Sequence, residues 1–407
     1  MLSTEEKRVA VVPDAFWERV LEQTGGGTTP AIIDLTGLDH PVLTAEDLLE
    51  VAGGILRAGD VAVNGDGVQL TDPVLPDWQP TTIDEFERFV RALGEANGAE
   101  AITFTRDYCL KYSTEVAMKV RAFISAYVSR MGLPTPGVNA VFIAGRYRET
   151  WIGLHNDFCR TFLIPVHGRK QIMLWEPSYF ENMVLDKKPA LNGVCFGHID
   201  VDQYAADAVT LTVGPGQMLF IPEKWWHYNK FSELESTLGL SVGVFSNGTP
   251  GGAVSSAVNA ALTLPALTGE IDSAQRRPAG VVTLGEVDLS NQLTAALDAV
   301  RDTMKVQSLA WSTANGVIGG GGAFRPAVDI TDSLRLRGRA DAPVILLDVE
   351  DGTGLLFVLG RMEKVTLTPG VRELVEQLAG LEDFVAPSEA RELASSLYVR
   401  GAVEIAV

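Results

Sequence analysis

Apolar residues recur at helical spacing in "TAEDLLEVAGGILRAG" and "IDEFERFVRALGEAN", which predicts two amphipathic helices with Thr44 and Asp84 near their starts. Between them "DVAVNGDGVQL" alternates as a strand does, turns at Asn64-Gly65-Asp66-Gly67 and resumes, the signal of a hairpin. "STEVAMKVRAFISAYVSRMG" reads as a long amphipathic helix closed by Gly132. From Val138 to Ser246 the pattern changes to short β segments with Gly and Pro punctuation: "VNAVFIA", "TFLIPVHGRKQIMLWE", "LTVGPGQMLFIP" and "LGLSVGVFSN". Such a run predicts a barrel or sandwich. Beyond Asn247 the helical period returns, with Leu289, Leu293, Leu297, Val300 and Met304 on one stripe. "NGVIGGGGAFRP" then reads as a flexible linker, and the last stretch as a separate small unit. In that unit strands are expected at "PVILLDVE", "GLLFVLG" and "AVEIAV". A helix at "TPGVRELVEQLAG" is expected to bury Val371, Leu374, Val375 and Leu378, and Ser388 to cap the next one. The expected organisation is an N-terminal α/β region over 1–137, a β-rich core over 138–247, a helical region with linker over 248–322 and a C-terminal domain over 323–407.

A chain of 407 residues is long enough for two or three structural units. No run of about 18 apolar residues is present, and the start, "MLSTEEKRVAVVPDAF", lacks the apolar stretch of a secretory signal, so a cytoplasmic protein without a membrane partner is expected. Cys109, Cys159 and Cys195 have neither disulfide nor zinc-ribbon spacing and read as buried small hydrophobes. A net charge of −19 with no cluster of Lys or Arg argues against a nucleic-acid partner and is compatible with a basic one.

Chemistry concentrates in the β-rich core. On a strand, residues i and i+2 share a face, so His155 and Asp157 of "HND" aim an imidazole and a carboxylate at one point. His227, at the end of "GQMLFIPEKWWHY", is the best third ligand: a Gly214-Pro215-Gly216 turn launches a strand that leads into an aromatic corner ending in the histidine. Two histidines and one carboxylate on one side of a metal leave positions open for chemistry, as in non-heme Fe(II) oxygenases. Lys170 follows a His167-Gly168 turn and opens "KQIMLWE". Its apolar neighbours suggest burial opposite an anion, while an exposed lysine at a hairpin edge fits the pattern equally well. Trp225 and Trp226 are expected to pack around the histidine corner, and His40 and His198 to lie on the surface. His167 is expected to point away from the barrel interior, and Arg160 reads as an exposed strand arginine.

"HND", the lysine of "GRK" fifteen positions after its histidine and "GPGQMLFIPEKWWH" together resemble the JmjC-type cupin oxygenases, the branch that includes protein and peptide hydroxylases. The resemblance covers Val138 to Asn247. It implies a mixed α+β fold with a double-stranded β-helix (cupin, or jelly-roll) core. Fe(II) would be held by His155, Asp157 and His227, and 2-oxoglutarate would chelate the metal with its far carboxylate on Lys170. Many relatives carry Thr where this chain has Ile152 and Asn where it has Thr161. Thr161 can still hydrogen-bond a carboxylate, and Tyr147 is an extra hydroxyl donor unless it merely packs in its strand.

The implied activity is Fe(II)- and 2-oxoglutarate-dependent hydroxylation, with O2, of a side chain of a protein or peptide. A hydroxylase of a free amino acid or small metabolite, and a catalytically silent peptide-binding cupin, are the alternatives. The apolar stripe lies where similar oxygenases place a helical dimer interface, so a homodimer is expected. The C-terminal unit resembles the winged-helix module of several protein-hydroxylating cupins. From Val371 to Val407 it holds three arginines against seven acidic residues, so it would repel phosphate; a platform for a polypeptide and a structural cap that completes the dimer or shields the barrel are the two readings.

Overall fold

The computed structural model describes residues 12–131, 134, 137–149, 152–181, 183, 187–190, 193–196, 199–245, 291–314, 317, 327–349 and 352–406. Gly132, His198, Leu289 and most of the Gly-rich linker lie outside them. Thirteen strands form one antiparallel system folded into two layers. The first layer runs in the order β1 (Ala31–Asp34), β12 (Gln217–Ile221), β7 (Arg160–His167), β13 (Trp226–Phe245), β5 (Gly137–Glu149), β4 (Ile102–Arg106), β2 (Ala62–Gly65) and β3 (Val68–Gln69). The second joins β9 (Lys187–Ala190), β10 (Gly193–Phe196), β6 (His155–Asp157), β13, β8 (Lys170–Trp175) and β11 (Val209–Val213). β13 therefore serves both layers, and its register against β5 shifts between Lys230 and Glu235 where it passes from one to the other. This is the double-stranded β-helix implied above.

Side-chain alternation decides what each face does. Phe162, Ile164, Met218, Phe220, Leu238, Leu240 and Val242 face outward from the first layer and share a core with the helices that cover it. Those helices are α1 (Asp14–Gln23), α2 (Ala45–Ala58), α3 (Ile83–Asn97) and α4 (Thr114–Met131). The intervening Leu163, Leu219 and Ile221 meet Ile172, Leu174 and Val213 in a second cluster between the layers. A one-residue slip of any of these strands would exchange the two sets, so burial on both sides fixes the register.

Local signals explain the flanking elements. Thr44 and Asp47 form a capping box at the start of α2, and Thr82 caps α3 with Asp84 inside its first turn. The expected hairpin forms, with Asp66 and Gly67 as a two-residue turn whose φ values, 48° and 82°, are both positive. β1 to β4 lie N-terminal to Val138 yet belong to the first layer, through pairings such as Ile33 with Met218 and Phe104 with Ala144.

After α5 (Asn291–Thr313) comes a unit with its own core around Leu336, Leu356, Leu374, Leu378 and Leu397. It contains a sheet ordered β18 (Phe384–Val385), β14 (Arg335–Gly338), β19 (Val403–Ile405), and a meander β15 (Val344–Val349), β16 (Thr353–Val358), β17 (Arg361–Thr366). Helices α6 (Pro369–Gly380) and α7 (Arg391–Val399) complete it. Thr368 caps α6. Ser388 does not cap α7 as expected: the chain enters that helix through a 3-10 turn, Ser388–Ala390, closed by the Ala390 N–H on the Pro387 carbonyl. Arg339 is buried here, donating to both oxygens of Asp341 and to Glu404. On α5, Leu297 of the expected stripe is 58% exposed, and Val300 and Met304 are half-buried. No helix among the described residues is long and apolar enough to cross a membrane.

Candidate active site

β6 is only three residues long and pairs on both edges, with β10 and with β13. The pairing with β13 sets His155 directly opposite His227, with ring centroids 4.1 Å apart. Asp157, two residues along β6, shares the face of His155, and its Oδ2 lies 3.7 Å from His227 Nε2. One ligand atom from each of these three residues falls within 4.8 Å of the other two. The residues singled out by spacing are thus brought to one point from two strands.

The imidazoles are oriented by the backbone. His155 Nδ1–H donates to the Gly153 carbonyl at 2.8 Å, and His227 Nδ1–H to the Trp225 carbonyl at 3.0 Å. A carbonyl can only accept, so these bonds fix the proton on Nδ1 and leave each Nε2 lone pair for a metal. Burial, reinforced by the neighbouring His155, pushes the His227 pKa well below the ordinary range and keeps it a neutral donor. Burial raises the pKa of Asp157, a shift that His155 partly opposes. A divalent cation would offset that desolvation, and two nitrogens with one carboxylate oxygen suit a borderline first-row metal. The donor set fits.

The corner is braced on both sides of β13. Trp226 packs outward with Trp175 and Phe180 and donates from Nε1 to the Pro177 carbonyl at 3.2 Å. Trp225 packs on the interior cluster and donates to the Thr28 carbonyl at 3.2 Å. Phe158, next to Asp157 in the chain, is 48% exposed. Cys159 is buried, and burial drives its thiol pKa upward, so it is a neutral packing group.

Lys170 is fully buried, not exposed at a hairpin edge, and donates to the Tyr147 hydroxyl at 2.7 Å. Among the described residues no carboxylate pairs with it. A buried ammonium with only a neutral hydroxyl for partner lacks the counter-charge that its desolvation calls for. Thr237 on β13 donates to the same hydroxyl at 3.2 Å, so Tyr147 joins Lys170 and Thr237 in one cluster. Thr161 lies apart from that cluster, on β7, with its hydroxyl 3.6 Å from Cys159 Sγ. Thr237 was not singled out from sequence. Its signal is the alternation Thr237, Gly239, Ser241, Gly243 with Leu238, Leu240, Val242, Val244: the small residues face the interior and leave room there.

The other polar residues fall away from the site. His167 pairs with Glu87 of α3 at 2.8 Å, outside the barrel, and His40 is exposed. Arg160, read as an exposed arginine, is half-buried and donates to the Tyr127 hydroxyl at 2.9 Å. Gly168 sets up Lys170: its φ is +67°, and a Cβ there would lie 2.1 Å from the Ser236 carbonyl oxygen. Gly168→Ala is therefore expected to destabilise the fold by about 2–4 kcal/mol, measured by chemical denaturation.

Residues 83–245 match the family model described as a cupin-like domain. Over that stretch the chain is similar to cupin-like domains. The match starts at α3, so it takes in β4 and α4 as well as the strands that hold the triad. An X-ray structure of Escherichia coli YcfD has the same overall fold at a TM-score of 0.52 and 12% identity, covering 96% of this chain and 98% of that one. A structure of YcfD from Escherichia coli, described as a ribosomal oxygenase in complex with cobalt and 2-oxoglutarate, matches at a TM-score of 0.47 and 14% identity over the same shares of both chains. The first of these matches shows a shared fold that reaches beyond residues 83–245.

Proposed function

We propose that this chain is an Fe(II)/2-oxoglutarate-dependent dioxygenase that hydroxylates a side chain of a protein or peptide. One observation carries the reading: a His155, Asp157, His227 cluster and a buried lysine with no carboxylate partner among the described residues lie in the same barrel. The bound iron and 2-oxoglutarate supply the oxidising power, with O2 consumed, succinate and CO2 released and one oxygen atom placed in a substrate C–H bond. The chain's own residues do the rest. The two Nε2 atoms and the Asp157 carboxylate would hold the metal. Lys170, backed by the Tyr147 and Thr237 hydroxyls, takes the far carboxylate of the cosubstrate. Leu163, Ile172, Leu174 and Ile221 keep bulk water from that cluster.

A protein substrate is favoured by the exposed aromatic Phe158 beside Asp157 and by the description of YcfD as a ribosomal oxygenase. The net charge of −19 favours a basic segment and disfavours nucleic acid. The reading extends to a cytoplasmic homodimer joined along the α5 stripe, where Leu297 awaits a cover. It also makes the region from 323 onward a platform for the polypeptide. The test is succinate release that requires both Fe(II) and 2-oxoglutarate and is stimulated by a ribosomal-protein fraction. Stimulation by free amino acids alone would redirect the reading to a metabolite, and failure to bind 2-oxoglutarate with metal would overturn it. Truncation after Gly322 is expected to raise KM for the polypeptide at least about tenfold while leaving KM for 2-oxoglutarate unchanged.

A further inference from the structure

On β13, Trp226 and Tyr228 face outward into the cluster with Trp175 and Met173. His227 and Asn229 therefore face the interior, as do their register partners on β8, Leu174 and Ile172. Lys170 begins the same inward row of β8, two residues before Ile172. Phe231, next on the inward row of β13, stacks edge-on against Tyr147 at 6.0 Å, and the Tyr147 hydroxyl receives Lys170. Asn229 thus occupies the one inward position of β13 between the triad histidine and the lysine cluster, about 7 Å along the strand from His227.

Its side chain is unusual for that place. Asn229 is 8% exposed, and its Oδ1 is buried without a hydrogen-bond partner among the described residues. Its register partner Ile172 and the next inward residue toward the triad, Leu174, are aliphatic, so packing against them calls for a leucine or valine here. A buried amide oxygen left unmatched costs about 1–3 kcal/mol, and a position that bears this cost holds the amide for something other than the fold. Turning the amide about χ2 exchanges Oδ1 for the Nδ2 hydrogens within the same envelope. The side chain can then donate to an anionic oxygen.

We infer that Asn229 is a cosubstrate-binding residue, an amide donor to a dicarboxylate held between the triad and Lys170. This rests on the dioxygenase reading above. A dicarboxylate with one end on the metal and the other on Lys170 passes the Asn229 amide, which adds a directional donor between two charged anchors. The residue also favours a carboxylate or keto oxygen over an apolar group at that point.

The experiment is calorimetric titration of 2-oxoglutarate into the Co(II)-loaded protein, together with Co(II) titration and thermal unfolding of the metal-free protein. Wild type must bind 2-oxoglutarate; if it does not, the dioxygenase reading fails and not this inference alone. In Asn229→Leu, 2-oxoglutarate affinity is expected to fall about 10- to 100-fold, with Co(II) affinity unchanged. Tm is expected to hold or rise, because no protein hydrogen bond is lost. Asn229→Asp is expected to weaken 2-oxoglutarate further by placing like charge against it. Wild-type affinity for 2-oxoglutarate in Asn229→Leu overturns the inference, as does a parallel loss of Tm and Co(II) affinity, which would mark a structural role.

Discussion

Replacement of His155 by alanine is expected to lower metal affinity by more than about 100-fold, since even residues that only orient a ligand are worth 10- to 100-fold. Turnover should fall below detection with it. The same holds for Asp157→Ala and for His227→Ala, which removes the ligand that β13 sets opposite His155. Unfolding of the metal-free protein should change little in the His155 variant: the ring makes one hydrogen bond, to Gly153, and belongs to none of the apolar clusters. Competition titration with a metal indicator measures the affinity, and a variant that retains full metal binding and activity removes the triad from the argument.

For Lys170→Ala the expected result is a rise in KM for 2-oxoglutarate of about 10- to 100-fold, the worth of a charge-assisted hydrogen bond, with KM for the polypeptide nearly unchanged. Stability falls by less than in most core truncations of this size. Removing a buried ammonium whose only partner among the described residues is a hydroxyl relieves a desolvation cost, which offsets part of the cavity left by the side chain. Steady-state kinetics with each substrate varied in turn gives the two constants. Equal effects on both would point to a distorted barrel and not to a lost carboxylate contact.

The His155, Asp157 and His227 cluster was legible because its signals are local. A two-residue spacing on a strand places His155 and Asp157 on one face, and a Gly-Pro-Gly launch followed by an aromatic corner points at His227. Lys170 was legible only as a choice between burial and a hairpin edge, since burial depends on what the opposite layer contributes. Tyr147, Thr237 and Asn229 needed the register of β13, including its passage between layers near Lys230 to Glu235, which no short stretch encodes. The same limit hid the place of β1, whose four residues mean little until Ile33 is found opposite Met218. Ser388 misled because its residue type suits a cap, whereas the local backbone closes the turn without one.

β13 also has a bearing on how the chain reaches this state. Its partners β5, β6, β7 and β8 all precede it, and Phe245 meets Gly137 across more than a hundred residues of intervening chain. Large loops must close before any of these pairings can return energy, which places assembly of the barrel among the slow, high-contact-order events of folding. During synthesis the chain emerges with His155 and Asp157 long before His227. His227 arrives on the same strand that joins the two layers, so on the proposed reading all three ligands would come together only once that strand is in place.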